Sequence, residues 1–450
     1  MMKPVSDSQA RLIVSVRAIA VVYVGLFLWY LGATFIQPPF ADMYSVVQHY
    51  LSYRIDGGWW SYLWAAHNEH RPIFLRLLTA LDIEVFSGVS YPFVVASAIA
   101  HVGAAWLLWR ECRAGVAGSF GVVIGCVGLM LVLTSVSAVV IAIPIMNNLI
   151  HGLAFTVLAI VVFERLEGAG DDRATLAARA GALLIACLVP FADAVGWAVW
   201  PILCWIAWHA GARRQWLWTI AGVGTALLIV YTRGLSLPVS LVSDATAPDL
   251  GLMDELTIRV NYLFAFMGLP WTRSPSLLAF GRFLGALLFV VATGVVCWRG
   301  FYRAPSGRLE RIAIALIMFS LASGILATIG RAGDPVLGGV LVPVRYSVLL
   351  IPLHVGLLWA ASPLLSRLWN GEHSPAMSLL ALGVCAGLLA QHVVAGQAAV
   401  ANAERIRATI QRFQAGESDA DMAIVIGDDL ERARTELANM RRAGVYLGGR

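Results

Sequence analysis

The sequence predicts an all-α polytopic membrane protein with about eleven transmembrane helices, interfacial helices in the first outer loop and a small extramembrane α/β cap at the carboxyl end. Three observations predict it. Of 450 residues, 59% are hydrophobic and only 13% are charged, a balance foreign to water-soluble domains. Apolar runs of spanning length recur along the whole chain. Basic residues fall in alternate connections, as the positive-inside rule requires of cytoplasmic loops.

The first span covers roughly Leu12 to Ile36, about 25 apolar residues with no small-residue cleavage site, and reads as a retained anchor. Arg17 lies near its start and can snorkel to the surface. The first outer loop, 38–90, is the densest set of reactive side chains in the chain. Asp42, His49 and Asp56 recur every seven residues; a helix starting at Pro39 puts them on one stripe, opposite Phe40, Tyr44, Val47 and Leu51. Trp59, Trp60, Tyr62 and Trp64 follow, a cluster suited to the headgroup level of a membrane. His67-Asn68-Glu69-His70-Arg71 then gathers a carboxylate, two imidazoles and a guanidinium before Pro72, where a second interfacial helix runs to Phe86 carrying Arg76, Asp82 and Glu84.

Further spans are expected near 91–109, 119–143, 145–163, 179–192, 195–209, 215–232, 277–298, 312–330, 346–362 and 376–398. Lys3 and Arg11, Arg110 and Arg113, Arg165 to Arg179, Arg213 and Arg214, Arg299 to Arg311, and Arg367 all fall on one side. That side is the cytoplasm, with the amino terminus inside and the carboxyl terminus outside. The outer face receives loop 38–90, the turn Phe191-Ala192-Asp193, loops 233–275 and 331–345, and the tail. A third interfacial helix is expected around Asn261 to Phe266. Residues 1–400 thus form the membrane domain and 401–450 the cap. In the cap, Ile406, Ile410 and Phe413 have helical spacing and Gly416 is a stop; Met422 to Ile426 reads as a short strand, and Asp428 to Arg442 as a helix ending at Gly444.

The net charge of +5 reflects the cytoplasmic loops and not a nucleic-acid partner. Six cysteines, all in or beside predicted spans, imply no disulfide framework. His101, His151, His209, His354 and His392, in or at the ends of spans, read as hydrogen-bonded packing residues.

Acidic and basic groups collected at an outer interface suit chemistry on a lipid whose headgroup reaches the loop. Glycosyl transfer from such a lipid needs a carboxylate for the acceptor's proton and cations for the departing phosphate. Here the sequence resembles the GT-C superfamily of integral membrane glycosyltransferases. Asp42 stands where those proteins carry an acidic residue soon after the first span; the run His67-Asn68-Glu69-His70-Arg71-Pro72, Arg345-Tyr346 at the start of a late span, and Ala443-Gly444-Val445-Tyr446-Leu447 are similar to elements of a bacterial branch that uses polyprenyl-phosphate sugars.

The resemblance implies a bacterial inner-membrane enzyme. It would move a sugar from a polyprenyl-phosphate donor to a surface glycan, a lipid-linked glycan or a protein on the periplasmic face. It implies Asp42 as general base or metal ligand and Glu69 as a second carboxylate. Arg331 and Arg345 would hold the donor phosphate in their planar forks, with Arg282 joining them. His49, Asp56, His70, Arg71 and Tyr346 are the candidates for acceptor or sugar binding. Asp42 is followed by Met43 instead of a second acid, which departs from a paired-acid metal site; a metal-free mechanism and a divalent metal both stay open, and no cofactor is fixed.

Plainer readings stand beside these. Asp42 would solvate an interfacial helix; Glu69, His70 and Arg71 would cap the helix at Pro72; Arg331 and Arg345 would anchor helix ends among headgroups. Two other functions also stay open: a polymerase or ligase moving an oligosaccharide from a diphosphate carrier, and a lipid or polysaccharide flippase, which would show internal repeats or broken helices near the bilayer midplane.

Overall fold

The computed structural model describes residues 7–37, 43–67, 70–166, 173–235, 251–269, 277–332, 342–371, 374–417, 422, 425–426 and 430–445. Among them the chain is almost wholly helical. Helix α1 spans Asp7–Ala33, and the first loop carries α2 (Met43–Asp56), α3 (Trp59–Trp64) and α4 (Ile73–Phe86). The bundle continues with α5 (Tyr91–Gly115), α6 (Gly118–Val132), α7 (Ser135–Ala142), α8 (Asn147–Leu166), α9 (Arg173–Ala192), α10 (Val199–His209) and α11 (Arg214–Thr232). It closes with α12 (Leu252–Gly268), α13 (Leu278–Val295), α14 (Arg308–Arg331), α15 (Ile351–Asn370), α16 (Ser374–Gln414) and α17 (Leu430–Arg442).

By length and composition this is a polytopic membrane protein. Among the described residues nine helices are long and apolar enough to cross a membrane, or ten with the pair α6 and α7, bent by 40°, counted as one. The segment expected at 195–209 is a shorter apolar helix, Ala194–His209. Its 16 residues reach only about 24 Å, short of the ~30 Å hydrocarbon thickness. Its length is set by Asp193, whose extended backbone ends α9 and whose carboxylate accepts the Val195 N–H to start a new 3₁₀ turn.

Helices α1 and α16 run side by side in the same direction. Tyr23 stacks on His392 at 3.9 Å, the Tyr30 hydroxyl donates to the Val393 carbonyl at 3.2 Å, and Arg407 donates to the carbonyls of Ala33 and Phe35. Gly396 makes this approach feasible: a Cβ there would stand 2.0 Å from the Tyr30 ring. At one end of the bundle, arginines of the predicted cytoplasmic loops tie helix ends together. Glu111, 4% exposed, pairs with both Arg165 and Arg308; Glu164 pairs with Arg311 at 2.6 Å, and Arg299 with Glu310 at 3.2 Å. Such buried carboxylates are tolerated because each has a guanidinium partner.

The opposite end carries the first loop and a second apolar core. Met43, Tyr44 and Val47 of α2 pack with Ile410 and Phe413 of α16, with Met422 and Ile426, and with Leu437 and Met440 of α17. Asn439 donates to Gln48 across this contact at 3.2 Å. Helix α16 runs unbroken across position 400, so the carboxyl-terminal cap continues the last long helix and sits on the first-loop helix. Gly416 and Gly444, with φ of 95° and 73°, follow α16 and α17 in the left-handed region that glycine adopts without strain.

No strand is seen among the described residues of the stretch Met422 to Ile426: Met422, Val425 and Ile426 are helical, and Ala423 and Ile424 lie outside the described residues. A lone strand would leave its backbone unpaired, and Met422 and Ile426 are buried in the core they share with α2, α16 and α17. The fold of α4 also departs from expectation. Arg76 and Asp82 face inward, at 4% and 0% exposure. Among the loop aromatics, Trp60 is exposed, but Tyr62 is buried amid Tyr50, Tyr53 and Trp59 at ring distances of 5.3 to 5.7 Å.

Candidate functional site

Two buried arginines fix the first loop where α3 ends. A helix end leaves carbonyls without intrahelical donors. Arg76 supplies donors to Tyr62 at 2.6 Å, to Leu63 at 3.2 Å and to Ala65, while the Tyr62 hydroxyl donates back to the Arg76 carbonyl at 3.0 Å. Burial lowers the Arg76 pKa to about 10, leaving it cationic at neutral pH. Arg71 lies 4.8 Å over the Trp64 ring and donates to the carbonyls of Trp64, Tyr231 and Arg233, with 2.9 Å to Tyr231. Its backbone N–H donates to the Tyr231 hydroxyl at 3.0 Å. The loop is thereby tied to the end of α11, some 160 residues away.

Beside this tie, His67 and His70 exchange backbone hydrogen bonds of 2.8 and 3.2 Å, with their rings 5.7 Å apart. Both line a cavity of about 370 Å³ formed where α4, α8, α14 and the 3₁₀ segments Ala194–Ala198 and Val344–Leu350 meet. Its polar lining is His67, His70, Asn148, Asp193, Arg331, Arg345 and Tyr346; its apolar wall includes Leu75, Met146, Leu149, Trp197, Leu326, Ile329 and Leu349. The Arg345 guanidinium lies 5.4 Å over the ring of Tyr346, which in turn packs 6.2 Å from Phe266. His70 has its pKa pushed down to about 3, first by burial and then by His67, Arg331 and Arg76. At neutral pH it is an uncharged imidazole that hydrogen-bonds without adding to the positive field.

The structure thus brings His70, Arg331, Arg345 and Tyr346 to one cavity. Others lie elsewhere. His49 is exposed on α2, with its ring 5.6 Å from that of Tyr62 and its pKa lowered by partial desolvation of the ring, then by Arg76 and His67. Asp56 is exposed at the end of α2. Arg71 has its guanidinium committed to backbone carbonyls and does not line the cavity, and Arg282 sits half-buried on α13, with no hydrogen bond at its Nε among the described residues. Asp42 and Glu69 lie outside the described residues. Among those described, no three His, Cys, Asp or Glu side chains converge as a metal site.

Sequence reasoning passed over Asp193. It is 8% exposed, accepts from Asn148 Nδ2 at 3.2 Å and from the Val195 N–H at 3.0 Å, and lines the cavity. The signal was present: Asp193 is the only acidic residue between Asp172 and Asp244, and an isolated ionisable residue between apolar runs points to a site. Comparison of the chain with family models, curated proteins and solved structures finds no match.

Chemically, the cavity offers two guanidinium groups, two imidazoles, of which that of His70 is neutral, an amide, a phenol and a carboxylate beside an apolar wall. That combination suits, in its chemistry, an anionic group joined to an apolar tail.

Proposed function

We propose that the chain is an integral membrane glycosyltransferase of the GT-C type, transferring a sugar from a polyprenyl-phosphate donor to a glycan, a lipid-linked glycan or a protein. The observation that carries the reading is the meeting of Arg331, Arg345 and His70 in one cavity with an apolar wall. Residues named for donor phosphate and for acceptor or sugar come together from two distant parts of the chain, His70 from the first loop and the two arginines from either side of one late loop. The phosphate lies against the two arginines, the prenyl tail follows the apolar wall toward lipid, and Asp42 or Glu69 serves the acceptor's proton.

In this reading the chain crosses a bacterial inner membrane eleven times, Ala194–His209 included, with the amino terminus cytoplasmic. The shared direction of α1 and α16 supports an odd count, and the cavity and the cap then face the periplasm.

Binding of polyprenyl phosphate to the purified protein in nanodiscs, with polyprenol as the neutral control, tests it. Wild type prefers the phosphate, and Arg331→Ala and Arg345→Ala each weaken binding about 10–100-fold, the worth of a charge-assisted hydrogen bond. Equal binding of phosphate and alcohol would contradict the reading. One observation favours transport instead: the α6–α7 break adjoins a small cavity lined by Thr134, Ser347, His354, Gln391 and His392. At about 60 Å³, that cavity holds a few atoms and not a sugar.

A further inference from the structure

We propose that Asp193 is the acceptor-binding carboxylate of the cavity, hydrogen-bonded by the hydroxyl group that attacks the donor sugar; this rests on the transferase reading above. Three observations converge on it. Asp193 is a lone acid in a long apolar stretch, more than nine-tenths buried, yet part of the cavity lining that also holds Arg331 and Arg345. Burying a carboxylate is costly, and a cap for the short 3₁₀ turn it starts is equally well made by Ser or Asn, which carry no charge.

The neighbouring helix is shaped to receive it. On α8, Asn148 donates to its Oδ2, and one turn on, Gly152 leaves room for its side chain: a Cβ at Gly152 would stand 2.8 Å from the Asp193 Cβ. Asn148 and Val195 each occupy one acceptor direction of the carboxylate and fix its plane.

The charges also sort the two substrates. A phosphate is drawn to the arginines and repelled by Asp193, whereas a hydroxyl, which donates, is drawn to Asp193 and finds no acceptor on a guanidinium. The donor therefore has one orientation in the cavity, with its phosphate away from Asp193.

The test uses the full chain in nanodiscs, a panel of polyprenyl-phosphate sugars as donors, and alkyl glycosides as hydroxyl acceptors. Asp193→Asn keeps the cap and removes the charge; Asp193→Glu keeps the charge. Asp193→Asn is expected to lower kcat/KM for the alkyl glycoside about 10–100-fold. Polyprenyl-phosphate affinity and thermal midpoint stay within threefold and two degrees, and Asp193→Glu recovers part of the loss. Transfer by Asp193→Asn at the wild-type rate would overturn the proposal, as would a parallel loss of donor binding and thermal stability, which marks a cap alone. A wild-type protein that binds and cleaves a donor but glycosylates no alkyl glycoside overturns this proposal and leaves the transferase reading standing. A wild-type protein that binds no polyprenyl phosphate overturns both.

Discussion

Replacing Arg71 separates a residue that binds substrate from one that holds the site together. Its side chain, 3% exposed, gives donors to the carbonyls of Trp64, Tyr231 and Arg233 and lies over the Trp64 ring. Hydrogen bonds from a charged donor contribute about 1.5–3 kcal/mol each. Three would sum to about 4.5–9 kcal/mol, but the bonds to Trp64 and Arg233 are only partly buried, and water takes over some of those carbonyls. Arg71→Ala is therefore expected to destabilise the protein by about 3–5 kcal/mol. Arg71→Lys recovers little, since one ammonium cannot meet three carbonyls spread around a planar fork. The assay is the denaturation midpoint in mixed detergent micelles, followed by tryptophan fluorescence. A wild-type midpoint for Arg71→Ala would refute the structural role, and a wild-type midpoint with lost substrate binding would return Arg71 to the binding site.

Gly396→Val drives a side chain into the Tyr30 ring; α1 and α16 are then forced apart, for a loss of about 1–3 kcal/mol or more in the same assay. Asp82 is fully buried and its Oδ1 accepts the Ser90 N–H at 2.8 Å; Asp82→Ala leaves that turn between α4 and α5 without its acceptor and lowers the midpoint by about 1–3 kcal/mol. His70 is held neutral in the fold, its pKa well below the ordinary 6.5. Above pH 6.5 it is uncharged in both states and contributes no pH dependence; as pH falls from 6.5 toward 3 the unfolded chain takes up a proton that the folded chain refuses, and stability is lost. Between pH 7 and pH 5 wild type should lose up to about 2 kcal/mol more than His70→Gln, and equal losses would contradict the desolvated, neutral imidazole.

The class and most of the long apolar helices were legible because hydropathy is a local signal: each apolar run reports its own length without reference to a partner. The same holds for α17 and the last turns of α16, whose apolar spacing is helical. The strand expected at Met422 to Ile426 failed because a short apolar run with β-branched residues reads alike in either conformation. Burial against α2, α16 and α17 decided it. Arg331, Arg345 and His70 were legible as charged or polar residues at span ends, but their meeting is a property of tertiary packing. Arg71 and Arg76 looked like ligand-binding or interfacial charges because their actual partners are backbone carbonyls, which every residue has and no sequence pattern marks. Asp193 was visible as a lone acid and was read only as part of a turn.

The most direct measurement is release of free polyprenyl phosphate by the purified protein across a panel of polyprenyl-phosphate sugars, with Asp42→Asn and the double variant Arg331→Ala, Arg345→Ala alongside. The account predicts that one donor turns over, that Asp42→Asn slows it about 10²–10⁴-fold while keeping the wild-type denaturation midpoint, and that the double variant loses donor affinity. Turnover of no donor under any acceptor condition, or wild-type turnover in the double variant, would contradict it.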